Sequence, residues 1–203
     1  MTFGTRSILS KMVLGVLIWL YRRQGWTIEG GAPHLRKCVI IGAPHTSNWD
    51  FIFFLGVTRQ LDIRPRFMGK DALFRWPLAR FMCEMGGVAV RRSSSRNYVA
   101  QMVDAFAEND DFMLVVAPEG TRGGVTRWKT GFYHIAVGAG VPIVPGWLDY
   151  RTMHGGLGPA IMPTGDYAAD MARLAAFYAD HGCGRHPHKT RTDFAAMIAS
   201  TEA

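Results

Sequence analysis

The sequence predicts an α/β fold: a single-domain sandwich with a central, largely parallel or mixed sheet flanked by helices, preceded by one apolar N-terminal helix. Three observations predict it. Short apolar runs at 39–41, 112–117 and 141–147 alternate with longer stretches of helical pattern, and strands separated by helices imply crossover connections and parallel pairing. At 203 residues, 48% of them hydrophobic, the chain is long enough to bury one real core. Neither an internal repeat nor a low-complexity segment divides it.

Residues 8–21 form the most apolar run. This is shorter than the roughly 20 residues a helix needs to cross hydrocarbon, and no small-residue cleavage site follows it as a signal peptide requires. Lys11 interrupts the run and Arg22-Arg23 closes it. Two readings stand side by side. In one, residues 1–24 hold an interfacial membrane helix, with Trp19 and Tyr21 at the headgroups and Arg6, Lys11, Arg22 and Arg23 on anionic lipid. In the other, the helix is buried against the domain formed by 25–203. Residues 39–41 then read as a buried strand, broken by Gly42-Ala-Pro44, since proline has no N–H for a ladder. Ser47 and Asp50 have capping-box spacing, so a helix is expected from Ser47 through 51–57. A second strand is expected at 66–69 and a helix over 71–85 that Pro77 kinks or splits. Further strands follow at 86–90, 112–117, 141–147 and 160–162, with helices at 98–108, 132–138, 168–179 and 191–200.

The net charge of +7 points to an anionic partner. With no recognition helix, zinc finger or aromatic RNA motif in the sequence, an anionic membrane surface is expected rather than nucleic acid. Cys38, Cys83 and Cys183 are odd in number and widely spaced, which argues against a disulfide framework and for a reducing compartment.

The chemistry centres on His45 and Asp50. Positions five apart in a regular helix are rotated by roughly 140° and do not face one another. If His45 sits just outside the helix and Asp50 in its first turn, the loop can fold the imidazole onto the carboxylate. Asp50 then holds one ring nitrogen and leaves the other as a general base. The alternative is a histidine and an aspartate that only cap a helix. Serine chemistry is not indicated: Ser47 lies near His45, but no G-x-S-x-G elbow exists to activate it. The segment His181-Gly-Cys-Gly-Arg-His-Pro-His188 offers four possible metal ligands at a spacing that fits no standard zinc site, and it reads as a flexible loop. No metal and no cofactor is expected.

Four blocks in order carry a resemblance. His45-Thr-Ser-Asn-Trp-Asp50 is similar to the H-x4-D motif of the glycerolipid acyltransferases, the family containing the lysophosphatidate acyltransferases. Pro118-Glu-Gly-Thr-Arg122 is similar to its P-E-G-T-R block. Lys70 with Gly69, Gly86-Gly87 and Arg91-Arg92 resemble its middle block, and residues 141–145 its last. Ala117 departs from the bulky aromatic common there, and Gly123-Gly124 also departs. The resemblance spans roughly 37–148. It implies His45 and Asp50 as catalytic residues and Glu119, Gly120, Thr121, Arg122, Lys70, Arg91 and Arg92 as substrate-binding residues. Arg122 suits the acceptor's phosphate, because a guanidinium fork matches phosphate oxygens and stays charged. Glu119 orients Arg122 or accepts from an acceptor hydroxyl. Lys70, Arg91, Arg92 and Lys129 either add positive potential or are solvated surface charges.

The implied reaction moves a fatty acyl chain from acyl-CoA or acyl carrier protein to the hydroxyl of a lysophospholipid, with lysophosphatidate giving phosphatidate as the leading case. The expected location is the cytoplasmic face of a bacterial inner membrane. Two rivals remain: an acyltransferase for another lysolipid, aminolipid or glycolipid acceptor, and a catalytically silent lipid-binding protein.

Overall fold

At the centre of the molecule, β2 (Lys37–Gly42) is buried along most of its length, as a short run of β-branched and apolar residues enclosed on both faces must be. In the computed structural model, which describes residues 7–30, 34–90 and 95–189, six further strands join it: β1 (Thr27–Glu29), β3 (Arg66–Lys70), β4 (Gly87–Val90), β5 (Phe112–Val116), β6 (Ile143–Asp149) and β7 (His154–Leu157). The strand order is β1-β7-β6-β2-β5-β3-β4. Every pairing is parallel except β6 with β7. The expected α/β sandwich with a largely parallel sheet is therefore the observed one.

Alternation along β2 sorts the two faces. Val39 and Ile41 join Leu114 and Val116 under α4 (Ser95–Glu108), α5 (Gly131–Ala139) and α6 (Tyr167–Asp180). Cys38 and Ile40 pack with Val144, Met113 and Val115 on the opposite face. That side is covered by α1 (Ile8–Arg23), α2 (Trp49–Gln60) and α3 (Ala79–Glu84). Through α1, the positions Ser10, Leu14, Leu17 and Tyr21 turn inward, a spacing of four, three and four that makes one helical face. Ile8, Leu9, Met12, Val13, Val16 and Trp19 stay exposed on the other. The helix is thus both packed against the domain and apolar outside. Among the described residues no helix is long and apolar enough to cross a membrane.

Several expectations are corrected. The helix foreseen over 71–85 is a 3-10 turn, Asp71–Phe74, and then the short α3, because Pro77 cannot supply an interior N–H. Ile161 makes only an isolated bridge to Ile143, so 160–162 is no strand. The strand that follows β6 is β7 instead, hidden in the sequence by Gly155 and Gly156. A Cβ on Gly156 would lie 2.1 Å from the Glu29 carbonyl oxygen, so only glycine lets β1 pair there. Arg6, the turn at 91–94 with Arg91 and Arg92, and the helix expected over 191–200 lie outside the described residues.

Candidate active site

Because β6, β2 and β5 run parallel and side by side, their carboxyl ends open on one edge, where ligands collect in such sheets. Gly42 pairs with Gly146 and Ile41 with Val116, so His45, Tyr150 and Glu119 leave three adjacent strand ends within a few residues of the same level. Tyr178 of α6 ties two of these ends together beneath the site. Its hydroxyl lies 3.2 Å from the Ile41 carbonyl and 3.0 Å from that of Gly146.

His45 Nδ1 lies 3.1 Å from Asp50 Oδ2. The same oxygen accepts the backbone N–H groups of Thr46 and Ser47, each at 2.9 Å. Oδ1 accepts the hydroxyl of Tyr150 at 2.7 Å. Burial pushes the Asp50 carboxyl up, but the hydrogen bonds from His45, Tyr150 and Ser47 outweigh it and hold the group below its ordinary value. An ionised carboxylate can only accept, so Nδ1 carries a proton, and in the neutral imidazole the lone pair is on Nε2. Nε2 has no hydrogen-bond partner among the described residues, and the side chain is 30% exposed. The dyad geometry, five residues apart across a loop and a first turn, is the arrangement expected of the pair.

The capping device differs from the expected one. Asn48, not Ser47, is the N-cap of α2 and makes no side-chain cap bond. Ser47 accepts the Trp49 N–H at 3.2 Å, while its own N–H goes to Asp50. Asp50 therefore anchors the loop before α2 and partners His45 at once.

Among the described residues no hydrogen bond or ion pair joins Glu119 to Arg122. Glu119 Oε2 accepts the backbone N–H of His45 at 2.9 Å, joining the two motifs directly. Burial pushes its carboxyl up to about 7, opposed by that hydrogen bond and by the His45 charge, with Asp50 adding to the rise. Gly120 follows with φ +64, and a Cβ there would meet Lys129 Cε at 2.9 Å. The positive φ favours glycine, whereas the Lys129 side chain could swing away from a Cβ. Thr121 accepts the Gly123 N–H at 3.3 Å, and Arg122 is exposed beside it. Lys70 ends β3, opposite Val90 of β4. Its side chain is not among those described, and β3 is two strands from β2, roughly 10 Å at the usual strand spacing. A groove of about 570 Å³ adjoins the turn after Arg122, lined by Gly123–Arg127, His188 and Lys189. Neither His45 nor Glu119 lines it.

Sequence reasoning missed Tyr150 and the C-terminal strap. In place of a free loop, residues 181–189 cross the site: Cys183 bridges Asp149, the His186 N–H reaches Thr46 Oγ1 at 3.3 Å, and the Arg185 guanidinium lies 4.9 Å over the Trp49 ring. The signal available for Tyr150 was its place at the exit of the last core strand.

Residues 28–149 match the profile of the Acyltransferase family, and this span includes both motifs that meet at His45. The chain belongs to that family. Among curated relatives, a 1-acyl-sn-glycerol-3-phosphate acyltransferase of Haemophilus influenzae is 30% identical over 139 residues, covering 62% of this chain and 55% of its own. One of Limnanthes alba is 28% identical over 146 residues, covering 68% of this chain and 50% of its own. The chain thus spans about half the length of the curated relatives it matches. Among solved structures, the 1-acyl-sn-glycerophosphate (LPA) acyltransferase PlsC of Thermotoga maritima shares the fold, with a TM-score of 0.55 at 20% identity over 84% of this chain and 78% of that one.

Proposed function

We propose that the protein transfers a fatty acyl chain from an acyl thioester, acyl-CoA or acyl carrier protein, to the free hydroxyl of a lysophospholipid, with lysophosphatidate as the acceptor. The observation that carries this reading is His45 Nε2, unpartnered among the described residues and backed through Nδ1 by an ionised Asp50. Nε2 takes the hydroxyl proton as the acceptor oxygen attacks the thioester carbonyl. A C–O bond forms, the C–S bond breaks, and the imidazolium returns the proton to the departing thiolate. The names of the relatives supply the acceptor class. Arg122, exposed at the turn next to Glu119, supplies a fork for its phosphate.

The test is acyl transfer to lysophosphatidate from each thioester in turn. Turnover fixes reaction and donor together; its absence with both removes lysophosphatidate as acceptor and moves the search to other lysolipids. Arg122→Ala is expected to raise the KM for lysophosphatidate about tenfold, the order of one charged hydrogen bond. Transfer to an acceptor without phosphate should be indifferent to it. Equal sensitivity of both acceptors removes the phosphate role.

We further propose that the protein works at an anionic membrane surface. Ile8, 78% exposed, and Trp19, 57% exposed, mark the two ends of the outer face of α1, flanked by Lys11, Arg22 and Arg23. Glu84 of α3 accepts from Ser7 at the start of α1, and the turn before α3 carries Trp76, 91% exposed, and Leu78. Leu9→Asp with Val16→Asp leaves the inner face of α1 intact. The pair is expected to weaken sedimentation with phosphatidylglycerol vesicles by tenfold or more, since each buried aliphatic side chain contributes about 1.5–3 kcal/mol. Unchanged sedimentation removes α1 as the contact.

A further inference from the structure

We propose that Tyr150 is a positioning residue of the His45–Asp50 dyad, setting the rotation of the Asp50 carboxylate and the share of its charge that reaches His45. The inference rests on the general-base reading of His45. The two oxygens of Asp50 are served differently. Oδ2 receives three donors, His45 Nδ1, Thr46 N and Ser47 N, all from the loop just before it. Among the described residues Oδ1 has one hydrogen bond, from Tyr150, 100 residues away in the chain.

A carboxylate's terminal torsion is broad and roughly two-fold, so local donors alone leave its rotation loosely set. The Tyr150 hydroxyl pins the second oxygen. Its own position is fixed at both ends. The backbone lies in the turn after β6, where buried Asp149 accepts the Arg151 N–H at 2.8 Å and the Tyr150 N–H reaches the Cys183 carbonyl at 2.9 Å. The ring stands edge-on to Trp26 at 5.1 Å and Phe53 at 5.2 Å, which contact each other at 4.2 Å. Burial, and then Asp50 itself, push the hydroxyl well above the ordinary tyrosine range, against a smaller opposing pull from Arg185. The group therefore remains a donor.

Two donors that share one carboxylate compete for its charge. With the hydroxyl in place, less of the Asp50 charge is available to hold His45 as imidazolium. Without it, the imidazolium is held more firmly and the base is freed only at higher pH. Among the described residues, the other ionisable groups facing the dyad are Glu119 from the end of β5 and Arg185 from the strap, and both stay in place when only the hydroxyl is removed.

The experiment compares wild type, Tyr150→Phe, Tyr150→Leu and His45→Ala. Phenylalanine keeps the ring packing and removes the donor, whereas leucine removes both. For Tyr150→Phe, kcat near pH 7 is expected to fall about tenfold through misorientation of the base, with both KM values within twofold of wild type. The deficit should narrow as pH rises. Wild-type kcat in Tyr150→Phe overturns the proposal, as does a deficit equal at every pH or one confined to KM, because lost packing alone would give those. A fully active His45→Ala overturns the reading beneath it instead. A second measurement needs no turnover: the His45 Nδ1 proton resonance, followed by NMR, is expected to move downfield in Tyr150→Phe, because a carboxylate that has lost its other side-chain donor accepts more strongly from the ring. An unmoved Nδ1 proton resonance overturns the proposal whatever the acceptor.

Discussion

His45→Ala is expected to lower acyl transfer by at least about a hundredfold, the usual scale for a lost general base, while leaving the fold in place. The reason it should leave the fold intact is local. Glu119 is held by the backbone N–H of His45, not by its ring, and alanine retains that donor. Thr46 and Ser47 still donate to Asp50, so the start of α2 keeps its anchor. The side chain removed is 30% exposed, and its loss opens no core cavity. Asp50→Ala behaves differently. It strips the first turn of α2 of the acceptor for two backbone donors and for Tyr150, so it should lower both activity and stability. The pair is checked by steady-state kinetics beside urea denaturation. A His45→Ala protein with near wild-type kcat and an unchanged midpoint removes the general base from the mechanism. A large loss of stability in that variant would instead assign His45 a structural role.

The central strands and the dyad were legible because each rests on short-range chemistry. Residues 39–41 are apolar without interruption, and a proline two residues past β2 marks its exit. Ser47 to Asp50 has the spacing at which a side chain reaches back to a backbone donor. One half of that box is present, with Asp50 accepting the Ser47 N–H; the other half gave way because Asn48 occupies the N-cap. What was illegible depends on pairing at long range. β7 looks like a loop because Gly155 and Gly156 are depleted in strands, yet close approach of β1 demands them. Tyr150 reads as an ordinary strand-end aromatic until β6 is known to lie beside β2. The strap at 181–189 has no periodicity, and its backbone contacts with Thr46 and Leu148 leave no mark on residue type. Glu119 was found by its motif, but its contact was not, since an acceptor for a backbone N–H makes no demand on its partner's side chain.

That contact leads to the second large effect. Burial pushes the Glu119 carboxyl up to about 7 in the folded chain, from an ordinary 4.5. A carboxyl raised by folding contributes its full stability below the unfolded value and loses it as pH climbs through the folded one. The window here is therefore about pH 4.5 to 7, and a shift of this size corresponds to about 3 kcal/mol. Asp50, held below its ordinary 3.8, acts in the opposite sense and only below that value, so the two windows do not overlap. Glu119→Gln keeps an oxygen to accept the His45 N–H and is neutral throughout. It is expected to match wild type in urea denaturation at pH 4 and to exceed it by up to about 3 kcal/mol at pH 8. A difference that is the same at both pH values would show that packing, not ionisation, separates the two proteins. On the reading in which Glu119 also accepts from the acceptor hydroxyl, the same variant is expected to transfer acyl groups poorly, because an amide is a weaker acceptor than a carboxylate. Stability gained together with activity lost is the pattern of a charge kept buried for function. In this chain the half-buried carboxylate lies against the backbone of the proposed base, where an amide keeps the acceptor for the His45 N–H and an apolar residue would leave that donor unpaired.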